Sequence, residues 1–84
     1  MAESPEQIFG ELCRLIEPFN TKGITVTLDT DIAADLNIDS VAVMDFVMEI
    51  EDRFDIDIPL NLLAETHTMR DLLGVVQQRM GQVN

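Results

Sequence analysis

Side chains that could do chemistry are scarce in this chain. It holds one histidine, His67, and one cysteine, Cys13, far apart in sequence. A Ser-His-Asp set can be written down for any acidic chain. An 84-residue chain leaves little room for a nucleophile, an oxyanion hole and a substrate pocket together. No catalytic residue is therefore assigned, and the chain is not expected to be an enzyme. Zinc is disfavoured because no paired Cys/His spacing exists. Asp35, Asn37 and Asp39 match the first, third and fifth positions of an EF-hand loop. The template then fails, because Ser40 stands where glycine is required and Phe46 where the bidentate glutamate belongs. Asp29 and Asp31 fail sooner, with Ala33 and Ala34 next in line, so no metal site is expected. Cys13 reads as a small buried hydrophobe with no cationic activator beside it in sequence, and His67 as a loop or helix-start residue.

The remaining residue is Ser40, which follows Asp39 and opens the strongest helical stretch. A serine there reads first as an N-cap, its hydroxyl accepting a backbone N–H. The same place suits a phosphate, because the free N–H groups and the dipole at a helix N-terminus favour an anion. Ser40 could therefore carry a phosphodiester.

The charge narrows the partners. Sixteen Asp and Glu stand against five Lys and Arg, a net charge of −11. Nucleic acid is not expected as a partner, since its phosphates must be neutralised by Lys and Arg. Anionic membrane surfaces are disfavoured for the same reason. A basic protein patch is what such a surface attracts. The apolar fraction of 46% is that of a folded chain. A single cysteine closes no internal disulfide and points to a reducing compartment. Residues 1–5 show no signal-peptide pattern, and no stretch reaches the roughly 18 apolar residues of a membrane span. A cytoplasmic monomer, one domain over residues 1–84, without stable membrane insertion, is expected.

The elements that must position Ser40 follow from apolar spacing. Ser4, Pro5 and Gln7 form a helix-start signature, followed by Ile8, Phe9, Leu12, Leu15, Ile16 and Phe19 at helical spacing. This predicts a helix over 4–18, ended by Pro18. Residues 19–39 read as a long loop. Thr25-Val26-Thr27-Leu28 alternates, but no second strand exists to pair with it, and Ile24, Val26, Leu28, Ile32, Leu36 and Ile38 are expected to pin the loop to the core. The second helix is predicted over 40–54. At about 100° per residue, Val43, Phe46, Val47, Ile50 and Phe54 share a core arc. Val41, Met44 and Met48 share a separate arc, bordered by Asp45, Glu49 and Asp52. That second face packs on another element, docks a partner, or does both in part. A short helix over 60–65 follows Pro59. A capping box, Thr68 to Asp71, opens a last helix over 68–80, with Met69, Leu72, Leu73, Val76 and Met80 on one face and a frayed end at 81–84. The fold class is all-α, a four-helix bundle of three main helices, one short third helix and a long first loop.

The run Asp35-Leu36-Asn37-Ile38-Asp39-Ser40-Val41 resembles the attachment motif of acyl carrier proteins, D-L-G-x-D-S-L. The resemblance continues through Asp45 to Pro59, including Glu51, Phe54, Ile56, Ile58 and Pro59 as E-x-x-F-x-I-x-I-P, and resumes at Thr68-Met69-Arg70-Asp71-Leu72. It spans about Ile8 to Met80, in order. The family implies an acyl-carrier-like bundle with 4′-phosphopantetheine on Ser40, Asp39 being the adjacent motif residue. A phosphopantetheinyl transferase would deliver the arm from coenzyme A. The arm's thiol would carry acyl groups as thioesters, and the chain can shelter between the helices. Val41, Met44, Asp45, Met48, Glu49 and Asp52 would face acyl-transferring or acyl-condensing enzymes with basic docking patches.

The departures from the motif matter too. Asn37 replaces the motif glycine, Val41 the leucine, Ala42 stands where many fatty-acid carriers place an acid, and Leu60-Asn61-Leu62-Leu63 replaces an acidic stretch. These count against bulk fatty-acid synthesis, and Val41-Ala42-Val43-Met44-Asp45-Phe46 resembles a specialised group of bacterial carriers near sphingolipid-type synthases, which implies a specialised lipid pathway of fatty-acid or sphingolipid type. Two alternatives stay open: an acidic interaction module without a prosthetic group, and a carrier of a polyketide or nonribosomal peptide pathway, against which Asp39 counts. Ten of the acids lie between Asp29 and Asp57 against the single Arg53, a net −9 around the serine.

Overall fold

A computed structural model describes residues 4–81. The three longer helices each begin where a polar side chain can take one of their first N–H groups. In α1 (Pro5–Ile16), the Ser4 hydroxyl accepts the Gln7 N–H at 3.2 Å and the Gln7 side chain accepts the Ser4 N–H at 2.9 Å. Pro5 fills the first helical position, where its missing N–H costs nothing. Ile8, Leu12 and Ile16, four apart, form the buried stripe. The α-helix stops two residues short of the expected Pro18. Pro18 has no N–H with which to extend the ladder, and the chain tightens into a 3-10 turn over Glu17–Phe19, closed by the Asn20 N–H on the Glu17 carbonyl at 3.0 Å.

The connection over 20–39 has internal order. The Asn20 amide clamps Ile24, donating to its carbonyl at 2.8 Å and accepting its N–H at 3.2 Å, while Gly23 supplies the positive φ of 66° that the turn needs. Ile24, Val26 and Leu28 then turn inward and are half-buried, while Thr25, Thr27 and Asp29 are exposed. The alternation is that of a strand. Among the described residues its pairing comes to an isolated antiparallel bridge between Asp31 and Thr68. Asp31 and Asp35 cap a helical turn: Asp31 accepts the Ala34 N–H and Asp35 accepts the Asp31 N–H, both at 2.8 Å. These carboxylates serve the backbone. Ile32 and Leu36 of this turn are buried.

The bridge completes the start of α4 (Met69–Met80). The first four N–H groups of a helix have no partner inside it. Here Met69 donates to the Thr30 carbonyl at 3.0 Å and Arg70 to the Leu28 carbonyl at 2.8 Å. Asp71 donates to the Thr68 hydroxyl at 3.1 Å, and the Thr68 N–H donates to the Asp71 carboxylate at 3.2 Å. All four are satisfied, two of them by the loop. In the other direction the Ile32 N–H reaches the His67 carbonyl at 2.9 Å. Arg70 also pairs with Asp29 at 3.0 Å, an exposed contact worth little by itself.

Against α1 and α4 packs α2 (Ser40–Phe54), burying Phe46, Val47 and Ile50 with Val43 and Phe54 half-buried. The Phe46 ring meets Phe19 at 6.0 Å in a tilted pair. Arg53 reaches Glu11 of α1 at 3.1 Å. Asp55 ends α2 in the left-handed region, and the Glu51 carboxylate accepts the Ile58 N–H at 2.7 Å, fixing the approach to α3 (Leu60–Ala64). That helix is a single turn with no fully buried residue and no side-chain cap. The architecture is all-α with four helices. Gly81 caps α4; residues 82–84 of the expected frayed end lie outside the described residues.

Thr68→Ala should lower the unfolding free energy by about 1 kcal/mol in urea denaturation, the usual cost of losing an N-cap. Asp71 accepts the His67 and Thr68 N–H groups, and these bonds hold its carboxyl below the usual aspartate range. A depressed folded-state pKa contributes stability that is complete above the unfolded value and lost as pH falls through the folded one. Asp71→Asn should therefore flatten the loss of thermal stability below about pH 4, while leaving the neutral-to-alkaline side of the profile parallel to wild type.

Candidate functional site

The serine singled out by the sequence stands at the start of α2, where the loop makes a sharp re-entry. Asn37 adopts φ 54°, and the Ile38 N–H turns back to the Ala33 carbonyl at 3.2 Å. The left-handed conformation explains the departure from the family motif at this position. Glycine takes it without strain, and asparagine is among the few other residues that tolerate it.

The next residue corrects one expectation. Ser40 is not the N-cap. Asp39, in extended conformation, fills that role, its carboxylate accepting the Ala42 N–H at 2.9 Å and its carbonyl accepting the Val43 N–H at 3.0 Å. Aspartate and serine cap equally well, and the first one available to the turning chain takes the position. Ser40 becomes the first helical residue, with an exposed side chain. Among the described residues no group hydrogen-bonds its hydroxyl. Division of labour follows: the aspartate holds the helix end, and the serine oxygen stays free to form a bond. A phosphate diester on that oxygen fits the positive end of α2, though it stands beside the Asp39 charge.

Down the same helix, the second apolar arc is not packed on another element. Val41 is 68% exposed, Met48 61% and Met44 39%. Asp45, Glu49 and Asp52 are exposed beside them. Among the described residues, no cation pairs with these three acids. The nearest in sequence, Arg53, is drawn away to Glu11 and lies over the Phe54 ring at 5.5 Å. The face thus presents uncompensated negative charge around exposed methionine and valine.

Behind it lies a cavity of about 80 Å³ that sequence reasoning did not find. Val43, Phe46 and Val47 of α2, Leu63 of α3 and Leu72 of α4 line it, with Ile32 and Ala33 of the loop. Asp31, Thr66 and His67 stand at the same cavity. Periodicity identified Val43, Phe46, Val47 and Leu72 as apolar-face residues, but whether a core leaves a void depends on how helices of unequal length meet. Cys13 is half-buried, and burial pushes its thiol up, which keeps it protonated and unreactive. No bond links it to His67 among the described residues, and no three His, Cys, Asp or Glu side chains there are grouped to hold a metal. No described helix is long and apolar enough to cross a membrane.

The described residues thus form a small helical bundle with an unbonded serine at a helix start and an acidic and apolar face beside it. The family model described as "Phosphopantetheine attachment site" matches residues 7–76. A protein of Caulobacter vibrioides, named "Probable acyl carrier protein", is 45% identical over 55 residues, covering 66% of this chain and 64% of the relative. The "Acyl carrier protein" of Rhodococcus erythropolis is 31% identical over 81 residues, covering 93% of this chain and 87% of the relative. That of Lactobacillus acidophilus is 28% identical over 93% of this chain and 99% of its own. The chain belongs to the acyl carrier protein family, whose prosthetic group is 4′-phosphopantetheine and whose members carry cargo and are not enzymes.

The strain argument at the turn is open to measurement. Asn37→Val should cost about 1–2 kcal/mol of unfolding free energy, because a β-branched residue resists positive φ. Asn37→Gly should match or exceed wild type in the same denaturant series.

Proposed function

We propose that Ser40 carries the 4′-phosphopantetheine arm and that this chain delivers acyl groups to enzymes of a specialised lipid pathway. The observation that carries the reading is the free Ser40 hydroxyl beside a capping Asp39. On modification the serine oxygen bonds to the phosphate of the pantetheine half of coenzyme A, its proton is lost and the nucleotide half leaves. The arm supplies a thiol that holds acyl groups as thioesters. Everything else is done by the chain: Asp39 fixes the start of α2, the left-handed Asn37 brings the loop into it, and the exposed face of α2 meets the partner.

Recognition is electrostatic first. Asp45, Glu49 and Asp52 attract a basic patch over long range, and Val41, Met44 and Met48 dock into it over a small apolar area. The same face serves the phosphopantetheinyl transferase and the acyl-transferring or acyl-condensing enzymes in turn, which requires contacts weak enough to release. The departure at α3 supports a dedicated pathway of fatty-acid or sphingolipid type. Leu60, 70% exposed, opens a helix with no charged residue, where the motif of bulk fatty-acid carriers is acidic. The lone Cys13, without a disulfide partner, supports a reducing, cytoplasmic setting.

Incubation with coenzyme A and a broad-specificity phosphopantetheinyl transferase should add one phosphopantetheine by intact mass, and Ser40→Ala should abolish the addition. An unchanged wild-type mass, with a control carrier modified in the same tube, sinks the assignment. For the docking face, Asp45→Lys with Asp52→Lys should slow modification several-fold at low salt, and the gap should close as ionic strength rises. A salt-independent defect would instead indicate damage to the fold.

A further inference from the structure

The cavity behind α2 has a chemical asymmetry that bears on the cargo. Its inner wall is apolar: Val43 and Val47 from α2, Leu63 from α3 and Leu72 from α4. Phe46, Ile32 and Ala33 extend that apolar lining, and the polar groups come from the two segments joined by the Ile32–His67 hydrogen bond, which place Asp31, Thr66 and His67 at one cavity. The hydrogen-bonding state of these groups is specific. The Thr66 hydroxyl donates its proton to the Leu62 carbonyl at 2.8 Å, so toward the cavity it offers lone pairs. The Asp31 carboxylate accepts the Ala34 N–H through one oxygen and keeps further acceptor capacity on the other. The polar wall thus offers acceptors at Thr66 and Asp31, with the Asp31 charge, and the His67 imidazole beside them adds an N–H donor, a mixed set that a hydroxyl can match in both directions.

Such a wall discriminates among acyl chains. A chain ending in a carboxylate meets the Asp31 charge and is repelled. A plain hydrocarbon fills the apolar wall and leaves the acceptors without a partner other than water. A chain with a hydroxyl group can donate to the acceptors while its carbons cover the valines and leucines. The volume of about 80 Å³ is far below the roughly 300–1,000 Å³ of a site for a larger ligand, so the fitting chain is short. The way in is short as well: Val43 lies three residues after Ser40, on the same side of α2. We infer that this cavity holds short hydroxyacyl groups in preference to unsubstituted or carboxylated acyl groups of the same length. The inference rests on the assignment of the arm to Ser40.

The test loads the intact apo-protein from butyryl-, 3-hydroxybutyryl- and succinyl-coenzyme A with a broad-specificity transferase. Intact mass is recorded first. Each thioester's half-life in hydroxylamine is then divided by that of the same thioester on free pantetheine, which removes intrinsic reactivity. The normalised half-life of the hydroxybutyryl form should exceed the butyryl form about fivefold, the size of one net hydrogen bond, and the succinyl form should show no protection. Thr66→Val combined with Asp31→Ala should bring hydroxybutyryl and butyryl to parity, while Thr66→Ser keeps the difference. Equal or shorter protection of the hydroxybutyryl form on wild-type protein overturns the inference, and that comparison needs no variant to fold. A protein that gains no mass at Ser40 overturns the attachment assignment as well; a loaded protein without the hydroxyl effect overturns the cargo preference alone.

Discussion

The start of α4 is the constraint on which the rest of the structure leans. Two of its first four N–H groups find acceptors in the carbonyls of Leu28 and Thr30, on a loop that is far away in sequence. An irregular connection of this length is unusual in so small a fold, because its backbone groups need partners too. Each side solves the other's problem. The loop obtains a fixed edge, Thr30 is buried with its hydroxyl accepting the Thr27 N–H, and α4 obtains a complete N-terminus. From that edge the chain runs through the Asp31–Asp35 turn, which seats Ile32 and Leu36 in the core and delivers Asn37, Asp39 and Ser40 at the head of α2. The exposed serine is thus held by a rigid support some distance from it.

Charge is distributed in a way that serves recognition at the expense of the isolated fold. Arg14 and Arg53 converge on Glu11, and Arg70 lies against Asp29. The cations that pair in this way leave Asp45, Glu49 and Asp52 uncompensated. Self-repulsion along one helix lowers the stability of a small fold, yet the same field draws in a basic partner and falls off with salt. The exposed valine and methionines in the middle of this field lie outside the buried core of the bundle and leave an apolar patch on its surface.

The softest wall of the molecule is α3. One turn of helix without a side-chain cap or a fully buried residue has little to hold it beyond Leu63 and the Glu51 anchor on Ile58. The cavity lies between this wall and the well-tied loop on the other side. A well-tied support for Ser40 and a loosely held wall for the cavity are both present within 84 residues.

Local chemistry made much of this legible in the sequence. Capping boxes at Ser4 and Thr68, the apolar arcs of α1, α2 and α4, and the inward residues of the loop follow from spacing and side-chain type, because each depends on neighbours within four residues. The motif around Ser40 and the concentration of acid near it needed no coordinates. What the sequence left open depends on contacts between distant segments. Whether Asp39 or Ser40 caps α2 was decided by the turn at Asn37, whose left-handed backbone sets which residue arrives first. Whether Val41, Met44 and Met48 were core or surface was decided by where α1, α3 and α4 do not reach. The Asp31–Thr68 bridge was invisible because its partners are 37 positions apart and neither belongs to a strand. The cavity, with its polar groups, exists only once α2, α3, α4 and the long loop have met. Periodicity reports which side of an element is apolar; the packing of one element on another decides what that side touches.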